Sequence, residues 1–466
     1  MRSELKGKTI LVLGLGDTGW SMTRWLARSG ARVRVADSRA SPPHAAQLRA
    51  ELPQVDLRTG AFVADAFSGV DAIAISPGID RREPLIADAI GRGVPVAGDV
   101  ELFAQALEER IHSSGPAVPQ VLAITGSNGK STVTAMAGDI CASAGRRTVV
   151  AGNIGLPVLD AWSQTEDTGV IPDVFVLELS SFQLESTTSL EPAAATMLNL
   201  SEDHMDRYRD LADYAAAKSR VFAGHGTQVL NREDEWSMRM RRPGRNCVSF
   251  GLDAAPWPTD WGVVTERGQR ALAQGSRAVM ALDELPVAGL HNAANALAAL
   301  ALTRAIGVDE ARALDALRHF KGLPHRLEEI ATVRGITFYD DSKGTNVGAT
   351  VAALLGMAQP TVLIAGGDGK GQDFSPLARA VKDKARAVVL IGRDAPAIRA
   401  VLDTCGVRLL DAPGMEEAVQ RAFEAGSAGD AVLLSPACAS YDMFRNYIHR
   451  AEVFVAAVRQ LAASEG

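Results

Sequence analysis

An apolar run, Val121-Leu-Ala-Ile-Thr125, breaks abruptly into Gly126-Ser127-Asn128-Gly129-Lys130-Ser131-Thr132. A strand that stops at such a turn leaves several backbone N–H groups aimed at one point, at the start of whatever helix follows. That geometry cradles phosphate. Lys130 adds a point charge for the β- and γ-phosphates and Ser131 a hydroxyl for Mg²⁺, the division of labour of a P-loop, so a nucleoside triphosphate is the implied ligand. The spacing is compressed, because GxxxxGK[ST] would need a glycine at Ile124 and the chain reads GxxGKS instead. Such a turn can also simply reverse the chain, and its neighbours decide between the two uses.

A second glycine turn, Gly14-Leu15-Gly16-Asp17-Thr18-Gly19, follows the first apolar run, and the next run ends at Asp37, 18 residues beyond Gly19. This satisfies the dinucleotide fingerprint, with an acid placed for a ribose hydroxyl. Three uses stay open: NAD or FAD binding, the diphosphate of a nucleotide-sugar with Asp37, Ser38 and Arg39 near its base, and close helix–strand packing alone. Ser76-Pro77-Gly78, after the run 71–75, lines the same crevice.

Ligands of parallel sheets gather at the carboxyl ends of strands. Glu178 ends Val174-Phe-Val-Leu-Glu178, and His204 lies just past the run 195–200. Both can face the Mg²⁺ of the P-loop, Glu178 more naturally because Mg²⁺ prefers oxygen. Lys218, in the helical run 211–221, reads as a solvated helix lysine. Further on stand His325-Arg326, Asp340-Asp341-Ser342-Lys343-Gly344-Thr345-Asn346 and Gly366-Gly367-Asp368-Gly369-Lys370. An arginine suits phosphate bidentately, and a lysine among hydroxyls suits a carboxylate. One such cluster is compatible with a polar turn; three in one segment indicate a site.

The elements that must hold these residues are short Val/Ile/Leu runs at 9–14, 32–36, 71–75, 121–125, 174–179, 195–200, 361–366, 387–392 and 431–435, separated by helical segments. Continuous apolar strands alternating with helices predict an α/β chain of doubly wound, largely parallel sheets. At 466 residues and 47% apolar composition the chain can bury several cores, which predicts about three domains. Breaks at Ser113-Ser114-Gly115-Pro116 and Lys321-Gly322-Leu323-Pro324 set them at 1–115, 116–322 and 323–466. Segment 245–290 alternates in short runs and predicts a few antiparallel strands added to the central domain. The net charge of −7 argues against nucleic acid as a partner. Four cysteines without CxxC pairs suggest neither zinc nor disulfides, which fits a reducing cytoplasm. The N-terminal apolar run ends in glycines without a cleavage site, and nothing approaches a membrane span, the nearest segment being 293–302.

Taken together, the motifs resemble the Mur ligases, the ATP-dependent amino-acid-adding enzymes of peptidoglycan synthesis. The resemblance is carried by Thr125-Gly-Ser-Asn-Gly-Lys-Ser-Thr132, Leu177-Glu-Leu-Ser-Ser-Phe-Gln-Leu-Glu185, Asn199-Leu-Ser-Glu-Asp-His-Met-Asp206, Gly289-Leu-His-Asn292, Leu323-Pro-His-Arg326, Asp341-Ser-Lys-Gly-Thr-Asn346 and Leu434-Ser-Pro-Ala-Cys-Ala-Ser440. It implies a cytoplasmic, monomeric three-domain enzyme whose first domain binds a UDP-sugar, which demotes the NAD reading. Gly14, Gly16, Asp17, Thr18, Gly19, Asp37, Ser38, Arg39, Ser76, Pro77, Gly78 and Asn153 would serve that substrate. ATP would fall to Gly126, Ser127, Asn128, Gly129, Lys130, Ser131, Thr132 and Asn292, with Arg326, Asp341, Asp368 and Lys370 closing over it. By the same resemblance Ser131 and Glu178 would hold one Mg²⁺, and His204 a second together with Lys218, which is carbamylated at the matching place in the family. The segment from Ser435 to Phe444 is similar to that of the member adding D-glutamate to UDP-N-acetylmuramoyl-L-alanine, so those are the expected substrates. Lys343 and Thr345 follow one strand, Ser440 and Tyr447 another, and all four are expected to hold the two carboxylates of D-glutamate. Gly344 and Tyr441 occupy variable positions. The alternatives are a family member adding a different amino acid and, from another class, a nucleotide-dependent redox or sensor protein.

Overall fold

The computed structural model describes residues 5–114, 118–266, 268–287 and 289–465. Residues 1–4 and the Gly115 and Pro116 of the expected linker lie outside these; Ser113 and Ser114 end helix Asp99–Ser114. Three sheets organise the rest. The first is wholly parallel, with strands β1 (Thr9–Leu13), β2 (Arg32–Asp37), β3 (Asp56–Thr59), β4 (Ala72–Ile75) and β5 (Val96–Ala97) in the order β3-β2-β1-β4-β5. Order reverses between β1 and β4, so the Gly14–Gly19 turn opens at the switch point where such sheets take ligands.

The second sheet joins β6 (Gln120–Thr125), β7 (Thr148–Gly152), β8 (Val174–Glu178), β9 (Ala194–Met197), β10 (Thr227–Asn231) and β11 (Cys247–Phe250) in parallel with β12 (Trp261–Glu266). The strands β13 (Gln269–Gln274) and β14 (Arg277–Ala281) then extend it as the expected antiparallel addition. β6 lies between β9 and β8, so the P-loop, Glu178 and the segment leading to His204 leave neighbouring strand ends. The Ala/Leu-rich stretch at 293–302 is a core helix, Leu290–Ala305, buried along most of its length. No helix among the described residues is long and apolar enough to cross a membrane.

The third sheet runs β15-β16-β20-β17-β18-β19, formed by Glu328–Val333, Ile336–Asp340, Ala431–Leu434, Thr361–Gly366, Ala385–Ile391 and Arg408–Asp411 respectively. β15 is antiparallel to β16 and makes this sheet mixed; its sequence EEIATV, half exposed at an edge, lacks the continuous apolar run of a doubly covered strand. β16 and β20 are parallel neighbours, with Asp340 opposite Leu434, so the loops after them emerge side by side.

The first two sheets share one apolar core, in which Phe103 packs edge to face on Trp162 and Phe175 with centroids 5.7 and 5.0 Å apart, and those two rings lie tilted at 6.2 Å. The third sheet has cores of its own. Its contacts with the P-loop side are polar: Arg326 to Ser131, Asn346 to Asn128, and Lys370 to Asp203.

Candidate active site

The P-loop conformation is dictated locally. Gly129 has φ +82 as it caps helix Lys130–Ser143, and a Cβ there would lie 2.5 Å from Asn295 Oδ1, so only glycine fits. Asn199, past the end of β9, pins the loop: its Oδ1 accepts from Asn128 N at 2.8 Å, its Nδ2 donates to Asn128 O at 3.1 Å, and its carbonyl accepts from Ser127 N at 2.8 Å.

Lys130 Nζ donates to Gly126 O at 2.8 Å and Ser127 O at 2.7 Å. Lys218, expected on the solvent side of its helix, is instead 1% exposed, and its Nζ donates to the same Gly126 carbonyl at 2.8 Å. Burial, then the neighbouring Lys130, drives Lys218 far below the usual lysine range and towards the neutral amine. Lys130 is lowered too, by burial, with Glu178 and Asp203 opposing the shift. The surface reading of Lys218 fails because Leu211–Ser219 buries Tyr214, Ala215, Ala217 and Lys218, with the Tyr214 ring 4.5 Å from the Lys218 nitrogen.

Glu178 is 2% exposed; Oε1 accepts from Asn153 Nδ2 at 2.7 Å, while Oε2 is buried without a hydrogen-bond donor. A buried carboxylate oxygen left open beside a P-loop is the hard ligand that Mg²⁺ prefers. Asn153 thus orients Glu178. His204, at φ +58, packs its ring edge-on to Phe182 at 4.7 Å and lies 3.6 Å from Asp203 Oδ2. Burial lowers its pKa to about 4, so its imidazole is neutral and able to ligate.

A cavity of about 980 Å³ opens between the P-loop and the third sheet, lined by Asn128, Gly129, Thr132, His291, Asn292, Asn295, Arg326 and Asp341 among others. Its size suits a nucleoside triphosphate. Arg326 NH2 donates to Ser131 Oγ at 3.0 Å, closing the cavity from the third sheet. Its flanking residues His325 and Leu327 hold φ of +62 and +50, a strained backbone at the segment joining the second sheet to the third. Asp341 is buried, accepts from Ser435 Oγ at 2.7 Å, and is pushed by burial to about 7. Of the other residues expected at the nucleotide, Asp368 is engaged by Arg393 and by Lys370 N, and Lys370 Nζ reaches Asp203 Oδ1 at 3.2 Å, its charge acting on Lys130 and Lys343. The sequence reading passed over Asn295, although it lies three residues after Asn292 on the same helix face and donates to its Oδ1 at 3.2 Å. It also missed Asn199 and Asp203, which act through their neighbours.

In the third sheet, Lys343 Nζ lies 3.8 Å from the centre of the Tyr447 ring. Burial, then Arg326, lowers Lys343 to about 8, and the charges of Glu178, Lys130 and Lys370 also reach it. Ser440 is buried at the loop after β20, and Thr345 follows Lys343 with its N–H on the Lys343 carbonyl.

Around the first sheet, Gly19 is required because a Cβ there would meet Gly14 O at 1.9 Å. Asp37 accepts from Leu15 N at 2.6 Å and pairs with Arg39; burial opposes its ionisation, and Arg39 outweighs burial to hold it below the usual carboxylate range. Ser38 is exposed. Ser76 Oγ donates to Gly14 O at 3.4 Å. A cleft of about 340 Å³ runs from Asp17, Thr18 and Pro77 to Asn153 and Gln183 of the second unit, so it leads from the glycine turn towards Glu178.

Three family models match along the chain: a Mur ligase MurD-like N-terminal domain over residues 8–98, a Mur ligase middle domain over 124–303, and a Mur ligase glutamate ligase domain over 325–438. The chain is 58% identical to a UDP-N-acetylmuramoylalanine--D-glutamate ligase of Thiobacillus denitrificans, across 99% of this chain and 98% of the relative. It is 57% identical to the enzyme of the same name from Methylobacillus flagellatus, across 99% of each. Among solved structures, the UDP-N-acetylmuramate-alanine ligase of Thermotoga maritima superposes with a TM-score of 0.60 at 20% identity, covering 97% of this chain and 99% of that one.

Proposed function

Because the chain belongs to the Mur ligase family, we propose that it joins D-glutamate to UDP-N-acetylmuramoyl-L-alanine at the expense of ATP, in the cytoplasmic synthesis of peptidoglycan precursor. Full-length relatives named for that reaction support the reading. The observation that carries it is convergence: Arg326 of the third unit bonds the P-loop Ser131, the charges of Lys130, Glu178, Arg326 and Lys343 reach one another, and Glu178 keeps an open oxygen among them. A triphosphate, a metal and an amino-acid carboxylate would then meet within one chain, which supports a monomer. The chain is divided accordingly at 115/116 and 322/323 into units for the UDP-substrate, ATP and the amino acid.

On this reading the UDP-sugar lies along the Gly14–Gly19 turn and threads the 340 Å³ cleft, so its terminal carboxylate arrives beside the P-loop. The P-loop N–H groups and Lys130 hold the β- and γ-phosphates, while Arg326 approaches from the third sheet. Mg²⁺ would be held by Ser131 and Glu178, and at a second position by His204 and a carbamate on Lys218, and would neutralise charge on the transferring phosphoryl group. Attack of the substrate carboxylate on the γ-phosphate yields an acyl phosphate and ADP. Lys343, Thr345, Ser440 and Tyr447 hold the carboxylates of D-glutamate, turning its amine towards the acyl carbon, and collapse of the tetrahedral intermediate expels phosphate. The near-neutral Lys218 amine is the form that reacts with CO₂, which favours the carbamate. Hydroxylamine tests the sequence of steps: with ATP, Mg²⁺ and UDP-N-acetylmuramoyl-L-alanine but no amino acid, a hydroxamate is expected, and its absence would contradict an acyl phosphate route.

A further inference from the structure

The inference deepens the reading of the glycine turn as the seat of a UDP-sugar diphosphate, and rests on it. Helix Asp17–Arg28 starts at that turn, so its first N–H groups face the anion. Its first residue is an acid. The Asp17 side chain is 87% exposed on the rim of the cleft, where an uncompensated carboxylate would repel a diphosphate bound by the same turn. His44 meets it: Nε2 lies 2.7 Å from Asp17 Oδ1, and Nδ1 lies 3.1 Å from Gln47 Oε1. The Gln47 amide is oriented by donating its Nε2 to Glu51 Oε1 at 2.7 Å. Both ring nitrogens therefore face oxygen atoms, so the ring is held in place between Asp17 and Gln47. The imidazole lies flat on Trp20, with centroids 6.1 Å apart and planes 11° apart, and the Arg24 guanidinium sits 5.3 Å from the same indole.

We propose that His44 is a binding determinant for the anionic nucleotide-sugar: its imidazole, held by Trp20 and Gln47, engages the Asp17 carboxylate, keeps it turned from the glycine turn, and so makes an acidic helix start acceptable to a diphosphate. The charged groups around the ring are Asp17 and Arg24 on its partner helix and Glu51, through Gln47, on its own. His44 stands outside the glycine motif, 25 residues past Gly19, and its role follows only from the fold that brings it back to the turn.

The test is calorimetric binding of UDP-N-acetylmuramoyl-L-alanine to the full chain and to H44Q, D17N and the D17N/H44Q pair. H44Q is expected to bind about fivefold more weakly at low salt, the scale of one exposed charge interaction, with the difference shrinking in about 0.5 M salt. The pair should return close to the affinity of the unmutated chain, because removing the acid removes the need for the partner that holds it. Affinity for an ATP analogue, measured on the same samples, should be equal in all four and reports an intact fold. H44Q binding as tightly as the unmutated chain, or a pair as weak as H44Q, overturns the proposal while leaving the substrate reading in place. Failure of the unmutated chain to bind UDP-N-acetylmuramoyl-L-alanine overturns the substrate reading itself.

Discussion

Replacing Lys218 with methionine removes one nitrogen and keeps the buried volume. Lys218 and Lys130 each place Nζ 2.8 Å from Gly126 O, so the two nitrogens are at most twice that, 5.6 Å, apart. Two positive charges at that separation repel by about 3 kcal/mol at an effective dielectric constant of about 20. Burial lowers both, and Lys218 is the one pushed well below the usual lysine range. A carbamate reverses the sign, and its loss withdraws a similar amount of favourable interaction from Lys130 and from any cation held at Glu178. At about 1.4 kcal/mol per decade, turnover of the K218M variant should fall by at least about a hundredfold. Stability should hold or rise, because a buried amine has been replaced by an apolar side chain. The assay is ADP release under saturating substrates, repeated with added acetate or formate, which should restore part of the rate. Full turnover in K218M, or in K218R, which cannot form a carbamate, would refute the reasoning.

The K130M variant should retain its melting temperature and lose about 10²- to 10³-fold in kcat, measured by steady-state phosphate release. Gly129→Ala forces a Cβ against Asn295 at φ +82, and should cost about 1–3 kcal/mol in denaturant unfolding and weaken ATP binding in calorimetry. Because Lys343 is lowered to about 8, its ammonium is present below that pH and lost above it. The kcat/KM for D-glutamate should therefore fall about tenfold per pH unit above about 8, and the K343M variant should be weak at every pH with that limb gone. The shared apolar core of the first two sheets and the polar contacts of the third predict that the third unit moves as a body. Small-angle scattering should show contraction on adding an ATP analogue with the UDP-substrate, and identical profiles would count against hinge closure.

Much of this was legible because the chemistry sits at strand ends. Each apolar run read as a strand is one, and the glycine turns open where the sheet order reverses. Lys218 was not legible by periodicity: a lysine in an Ala-rich helix looks solvated, and only the packing of Leu211–Ser219 against the P-loop buries it. The edge strand Glu328–Val333 was hidden by its polar composition, since an edge needs only one covered face. Asn199 and Asp203 serve through hydrogen bonds to residues far away in sequence, which no local pattern records. Lys370 and Asp368 sit in a recognisable glycine-rich cluster, but their pairing with Asp203 and Arg393 comes only from the fold.

The central claim is tested most directly by ATP-dependent phosphate release with UDP-N-acetylmuramoyl-L-alanine and a panel of amino acids. Turnover with D-glutamate, and rejection of L-alanine, L-glutamate, L-lysine and diaminopimelate, is the expected result: a site offering Lys343 with several hydroxyls leaves unpaired polar groups with L-alanine or L-lysine, which lack a second carboxylate, and the relatives named for D-glutamate support discrimination against the other two. Preferred turnover with L-glutamate, L-alanine or a diamino acid would contradict it.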